Sequence, residues 1–261
     1  MQDPRRAMRH ILITGATGAI GGALACDWAE PGVVLHLHGR NRAALEALAE
    51  RCQARGAEVS LHDVALTDDS QLLEWLYQLD DTTPLDLVVA AAGVNIHAEG
   101  DQGEQWEEAR DLVDLNLKAP MAICNHLAPR MKARGHGQLV LMSSLAGYFG
   151  LPVTPSYCAS KAGIKAYGEA MRGWLAPHGV KVNVIMPGYV SSKMCHEMPG
   201  PKPFLWQPEK ASQRIRHGLE KNQARISFPF PLNFGTWWLA VLPAALSQRI
   251  VGWMGYNEEH S

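Results

Sequence analysis

The feature that most constrains this chain is an alternation. Short apolar or β-branched runs are separated by longer stretches of helical periodicity. The runs are His10 to Thr14, Val33 to Leu37, Glu58 to Leu61, Leu85 to Ala90, Gln138 to Met142, Lys181 to Ile185 and Arg225 to Phe228. Parallel strands need a crossover, usually a helix, and runs that are apolar at nearly every position read as strands covered on both faces. The expectation is an α/β fold, a doubly wound parallel seven-stranded sheet of the Rossmann type. Helical segments fall between the runs, among them Arg42 to Arg55 and Trp106 to Leu117, the latter followed by a helix through Met131 that Gly135 and Gly137 stop.

No Ser/Gly linker, low-complexity tract or repeat interrupts the chain, so its 261 residues read as a single domain. Its character changes after Pro187. Residues 188–210 are rich in Pro, Ser and Met, and 229–261 form an apolar C-terminal extension with Trp237 and Trp238. A net charge of −2 gives no broad cationic field, which speaks against nucleic acid as a partner. The five cysteines are scattered and never form a CxxC pair, a pattern expected in a reducing compartment. Met1 to His10 is charged and lacks a signal peptide's apolar stretch, and no apolar run reaches membrane-spanning length. A cytoplasmic protein is expected.

The first run passes directly into Thr14-Gly15-Ala16-Thr17-Gly18-Ala19-Ile20-Gly21, and helical periodicity follows at once. Small residues let a backbone approach a pyrophosphate, and a helix N-terminus turns N–H groups and positive dipole toward it. Gly15, Thr17, Gly18, Ile20 and Gly21 are therefore candidate dinucleotide contacts. At the end of the second run, Gly39 occupies the place where an acidic residue would hold a ribose 2′-hydroxyl, and Arg40 follows it. A guanidinium suits a 2′-phosphate, so NADP(H) is expected in preference to NAD(H).

Tyr157 and Lys161 lie four apart in a helical pattern and share one face. A neighbouring ammonium and a cationic nicotinamide would lower the phenol pKa toward the range useful for proton exchange. Ser144 ends the fifth run, where open α/β sheets place ligands, and can hydrogen-bond the same substrate oxygen.

Together these segments resemble the short-chain dehydrogenase/reductase family, in its shorter single-domain branch. The matching residues run from about Arg9 to Ser192: the glycine turn, Asp63-Val64, Ala91-Ala92-Gly93, Asn116, Ser144, Tyr157 with Lys161, and Pro187-Gly188-Tyr189-Val190. The resemblance implies a catalytic set of Asn116, Ser144, Tyr157 and Lys161. Tyr157 would be the general acid or base, Lys161 would lower its pKa and hold the nicotinamide ribose, Ser144 would position the substrate oxygen, and Asn116 would support a relay water. It also places Asp63 at the adenine, Val190 and Ser192 at the carboxamide, and Val64, Gly93, Pro187 and Gly188 in the cofactor site. The reaction implied is interconversion of a secondary alcohol and a carbonyl by hydride transfer. The expected partners are a small, hydrophobic substrate and further copies of the chain, as a homodimer or homotetramer.

Two positions depart from that pattern. The spacing Gly15, Gly18, Gly21 is more usual in the family's longer, epimerase-like branch, and Ala91 replaces the usual Asn. An epimerase or dehydratase, and a non-enzymatic dinucleotide-responsive binding protein, are the alternatives to the oxidoreductase reading. Eleven histidines form no metal-ligand spacing, so no metal is expected. The run from Glu104 to Asp114 reads as a solvated helix face. Phe204, Trp206 and the Met194 to Met198 stretch are candidates to line a substrate pocket. Phe234 to Leu246 would complete that pocket, pack on the sheet or touch a membrane. Peripheral membrane contact is not favoured, because the stretch is short, holds Pro243 and lacks a basic face.

Overall fold

The structure is a computed structural model and describes residues 9–98, 103–198 and 200–255. Most of the charged N-terminal stretch, residue 199 of the 188–210 segment and residues 256–261 of the extension lie outside the described residues.

Seven strands form one parallel sheet: β1 (Arg9–Thr14), β2 (Val33–His38), β3 (Glu58–His62), β4 (Leu87–Ala90), β5 (Gly137–Met142), β6 (Val180–Pro187) and β7 (Arg225–Phe228). Their order is β3-β2-β1-β4-β5-β6-β7. Strand order therefore reverses beside β1, where Thr14 pairs with Ala90 of β4, and the crevice beyond those two strand ends is where such sheets bind ligands. Successive residues point to opposite faces. Ile11 and Ile13 pack under α1 (Ala19–Trp28), α2 (Arg42–Gln53) and α8 (Pro208–Glu220), whereas Leu12 packs under α3 (Asp69–Thr82), α5 (Ala119–Arg134) and α6 (Pro155–Leu175). Both faces are covered, which is why β2 is buried at every position despite carrying His36 and His38.

Local chemistry sets the helix ends. The Asn41 side chain accepts from Ala44 N and starts α2, the Asp68 side chain accepts from Ser70 N and Gln71 N and starts α3, and Gly135 closes α5 at φ 71°. The expected break after Leu117 is different in kind. α4 (Trp106–Val113) passes through a π-helical segment, Asp114–Lys118, directly into α5.

The segment after β6 contains the short helix α7 (Lys193–Glu197), capped by Ser192, and the bridge from Val190 to Trp206. The C-terminal apolar stretch is two helices, α9 (Leu232–Val241) and α10 (Ala244–Trp253), broken at Pro243. Leu232 packs against Leu145, Val184 and Met186, which anchors α9 to the end of the sheet. No helix among the described residues is long and apolar enough to cross a membrane.

Candidate active site

A cavity of about 1430 Å³ opens over the C-terminal ends of β1, β4, β5 and β6. Its floor is the glycine turn. Gly15 has φ +69°, and a Cβ there would lie 2.6 Å from Ala92 Cα; a Cβ at Gly21 would lie 2.4 Å from the Gly15 carbonyl oxygen. Gly18 is the N-cap of α1, and its N–H donates to Gly15 O at 2.9 Å. The Gly15, Gly18, Gly21 spacing thus forms a tight turn that leaves bare backbone facing the cavity.

Every sequence-predicted cofactor residue lines this one cavity: Gly15, Thr17, Gly18, Ile20, Gly21, Arg40, Asp63, Val64, Gly93, Pro187, Gly188, Val190 and Ser192, with Ser144, Tyr157 and Lys161 beside them. Arg40 is exposed at the cavity edge, while Arg42 pairs with Glu46 at 2.7 Å as a surface helix pair.

Asn116 lies behind the wall. It is 1% exposed; its Nδ2 donates to Val94 O at 2.8 Å, and Val94 N donates to its Oδ1 at 2.9 Å. The π-helical segment inserts an extra residue per turn and brings this side chain inward. A Cβ on Gly93 would meet Asn116 Oδ1 at 3.0 Å and Lys161 Nζ at 3.6 Å, so glycine at 93 leaves room for both groups.

Ser144 and Tyr157 line the same cavity, and Ser144 Oγ donates to Pro187 O at 3.4 Å. Lys161 is buried; its Nζ donates to Met142 O at 2.9 Å and lies 5.4 Å from the centroid of the Tyr157 ring. The expected depression of the phenol pKa is not what the protein alone produces. Burial pushes Tyr157 up to about 12 against the opposing hydrogen bond from Ser144, and burial pulls Lys161 down to about 8. Desolvation disfavours the charged form of each and outweighs their proximity.

Three supporting residues escaped sequence reasoning. Thr14 accepts from Ala91 N at 3.2 Å and Ala92 N at 3.3 Å, so a hydroxyl from β1 braces the loop in which Ala91 replaces the usual Asn. A polar residue buried at a strand end was the available signal. Ser143 Oγ donates to Lys161 O at 2.7 Å, fixing α6 against β5. Glu104 precedes α4, and its carboxylate accepts from Ser156 N at 3.1 Å and from the Ser156 hydroxyl, capping the first turn of α6 next to Tyr157. Glu104 is therefore no part of a solvated helix face.

The substrate-side expectations divide. Met194 and Met198 line the cavity, whereas Trp206 stacks on Phe228 at 5.1 Å and Phe204 is 53% exposed; neither of the two lines it. Leu232, Thr236 and Leu239 of α9 and Val251 of α10 close one side, so the extension completes the cavity. Phe234 stacks on Trp237, Trp238 meets both rings edge-on, and none of the three lines the cavity. Among the described residues no group of three or more His, Cys, Asp or Glu side chains is placed to hold a metal ion.

The order of the sheet and the glycine turn at its reversal point define a Rossmann-type α/β protein. The short chain dehydrogenase family model matches residues 9–201, and the chain belongs to that family of oxidoreductases. An uncharacterized oxidoreductase of Myxococcus xanthus is 36% identical over 239 residues, covering 91% of this chain and 94% of the relative. A short-chain dehydrogenase from Sphingobium yanoikuyae, solved in complex with NADPH, is similar in structure with a TM-score of 0.80 at 22% identity, covering 97% of this chain and 98% of that one. A bulky-bulky ketone specific alcohol dehydrogenase from Comamonas testosteroni has a TM-score of 0.77 at 21% identity, covering 98% and 97%.

Proposed function

We propose that the protein interconverts a secondary alcohol and a carbonyl on an apolar substrate, using NADP(H) in preference to NAD(H), with Tyr157 as general acid and base. The observation that carries this reading is Tyr157 with Lys161 under its ring and Ser144 on the same wall, in the cavity whose floor is the glycine turn.

The residues present fit a dinucleotide. A side chain at Gly15 would collide with Ala92 and one at Gly21 with the Gly15 carbonyl, so both stay bare, and the exposed backbone is a cradle for a pyrophosphate at the N-terminus of α1. Arg40 would offer a guanidinium to a 2′-phosphate, and Asp63 and Val64 would meet the adenine end. Val190 and Ser192, which line the same cavity, would meet the carboxamide of the nicotinamide. When bound, the reduced nicotinamide supplies hydride to the carbonyl carbon.

The side chains handle the proton. With its pKa pushed up to about 12, Tyr157 holds its proton at neutral pH and is ready to give it to a carbonyl oxygen that also accepts from Ser144. The Lys161 ammonium beneath the ring favours the phenolate left behind. Asn116 holds Val94 at the cavity wall and Glu104 fixes the start of α6, so the donor is oriented before substrate arrives. Leu151, Met194, Met198, Leu232, Leu239 and Val251 make the remaining wall apolar, which favours a hydrophobic substrate. The neighbour described as specific for bulky-bulky ketones is consistent with such a wall.

The test combines fluorescence titration with NADPH and NADH and a panel of carbonyl compounds. NADPH is expected to bind more tightly, and Tyr157→Phe to bind it within about twofold of the unaltered protein while losing about 100-fold or more in turnover. Undiminished turnover by Tyr157→Phe would overturn the proton assignment, and tighter NADH binding would overturn the role of Arg40.

A further inference from the structure

Gly39 leaves the end of β2 without an acidic side chain. The structure gives the reason for that absence. A Cβ built on Gly39 would lie 2.9 Å from Thr17 Cγ2, 3.1 Å from Thr17 Oγ1 and 3.4 Å from Leu45 Cδ2. Both branches of the threonine face the position. Rotation about χ1 does not clear it, because two heavy substituents occupy three staggered positions and at least one always remains on the side of residue 39. Backbone movement does not clear it either. Ala16 N donates to His38 O at 2.9 Å, Gly39 N donates to His62 O at 3.0 Å, and the two segments are thereby fixed against each other at the end of β2.

We infer that Thr17 is a specificity-determining residue: by filling the space beside residue 39, it holds that position to glycine and leaves recognition of the adenosine ribose to Arg40. Thr17 belongs to the turn under the cofactor, and Arg40 stands at the edge of the same cavity. The glycine turn and the ribose site are therefore one steric unit. An acidic side chain at 39, which would select a free 2′-hydroxyl, requires a smaller residue at 17. Serine suffices, since its single hydroxyl can take the staggered position that faces away from residue 39 and leave hydrogen at the other two.

This inference rests on the dinucleotide reading above, and its test separates the two. NADPH and NADH dissociation constants are measured for the unaltered protein, Thr17→Ser, Gly39→Asp and the double variant. Melting temperatures without cofactor are measured for Gly39→Ala alone and combined with Thr17→Ser. Gly39→Asp alone is expected to gain no NADH affinity, and the double variant to bind NADH about tenfold more tightly than Gly39→Asp does. Thr17→Ser alone keeps the NADPH to NADH ratio within about twofold, because Arg40 is untouched. Gly39→Ala lowers the melting temperature, and adding Thr17→Ser restores most of the loss. Equal NADH affinity of Gly39→Asp with and without Thr17→Ser, or a Gly39→Ala melting temperature indifferent to residue 17, overturns the inference. Failure of the unaltered protein to bind either cofactor would instead overturn the dinucleotide reading, while the melting series still reports the contact between residues 17 and 39.

Discussion

Asn116 and Val94 exchange two hydrogen bonds, one in each direction, at 2.8 and 2.9 Å, and the amide that makes them rests against the bare face of Gly93. The side chain belongs to a π-helical segment and the backbone to the loop after β4, so the pair joins two walls of the cavity.

Gly93→Ala places a methyl group 3.0 Å from Asn116 Oδ1 and 3.6 Å from Lys161 Nζ. Crowding of this kind destabilises by about 1–3 kcal/mol. The variant is expected to melt lower and to bind NADPH more weakly, with the Asn116 to Val94 link disturbed. Calorimetry and a fluorescence titration check it; an unchanged melting temperature would show that the wall yields freely.

Lys161 trades stability for position. Folding lowers its pKa to about 8 from the ordinary 10.5, so between pH 8 and 10.5 the unfolded chain binds more protons and this group's contribution to stability rises with pH. Below pH 8 it opposes folding by up to about 3 kcal/mol. Lys161→Met is therefore expected to be at least as stable as the unaltered protein at pH 7, with turnover about 100-fold or more lower. Urea unfolding at pH 7 and pH 10 tests this, and the variant should have lost the rise in between.

A second titration acts at acid pH. His36 is buried between strands, with Nδ1 2.6 Å from Ser60 Oγ and its ring stacked on His10 and tilted against His62. Burial, followed by the neighbouring His62 and His10, lowers its pKa from 6.5 to about 4. Its stabilising contribution is complete above pH 6.5 and is lost as pH falls toward 4, by up to about 3 kcal/mol. His36→Leu should flatten the fall in urea midpoint across that window. A slope equal to that of the unaltered protein would assign the acid sensitivity elsewhere.

Asp80 is 2% exposed and accepts from Arg130 Nε at 2.6 Å, Arg134 Nη1 at 2.8 Å and Leu85 N at 2.9 Å. It ties α3 to α5 and to the entry of β4. Asp80→Ala leaves two guanidinium groups without their shared carboxylate and is expected to cost about 3–5 kcal/mol, read from denaturant unfolding.

The sheet was legible because its signals are local. Runs such as Val33 to Leu37 carry their strand character in themselves, and Thr14-Gly15-Ala16 announces its turn by residue type alone. Asn116 was identified as a site residue, but the π-helical segment that turns it inward was not, because helical periodicity continues across it with no residue to mark the change. Glu104 looked like one more charge in an acidic run; its bond to Ser156 crosses 52 positions of sequence. Phe204 and Trp206 were candidate pocket residues by composition, but Trp206 instead found Phe228.

The sequence by itself determined the alternation of elements, the bare turn at the end of β1, and the types and spacing of Ser144, Tyr157 and Lys161, since each follows from neighbours a few positions apart. Tertiary structure decided how these groups meet. It set the half-buried phenol over the buried ammonium, so that desolvation moved both pKa values, and it pressed Thr17 against Gly39, so that one turn governs another. Those outcomes depend on sheet register and on water excluded by many distant residues, quantities that no short stretch of the chain contains.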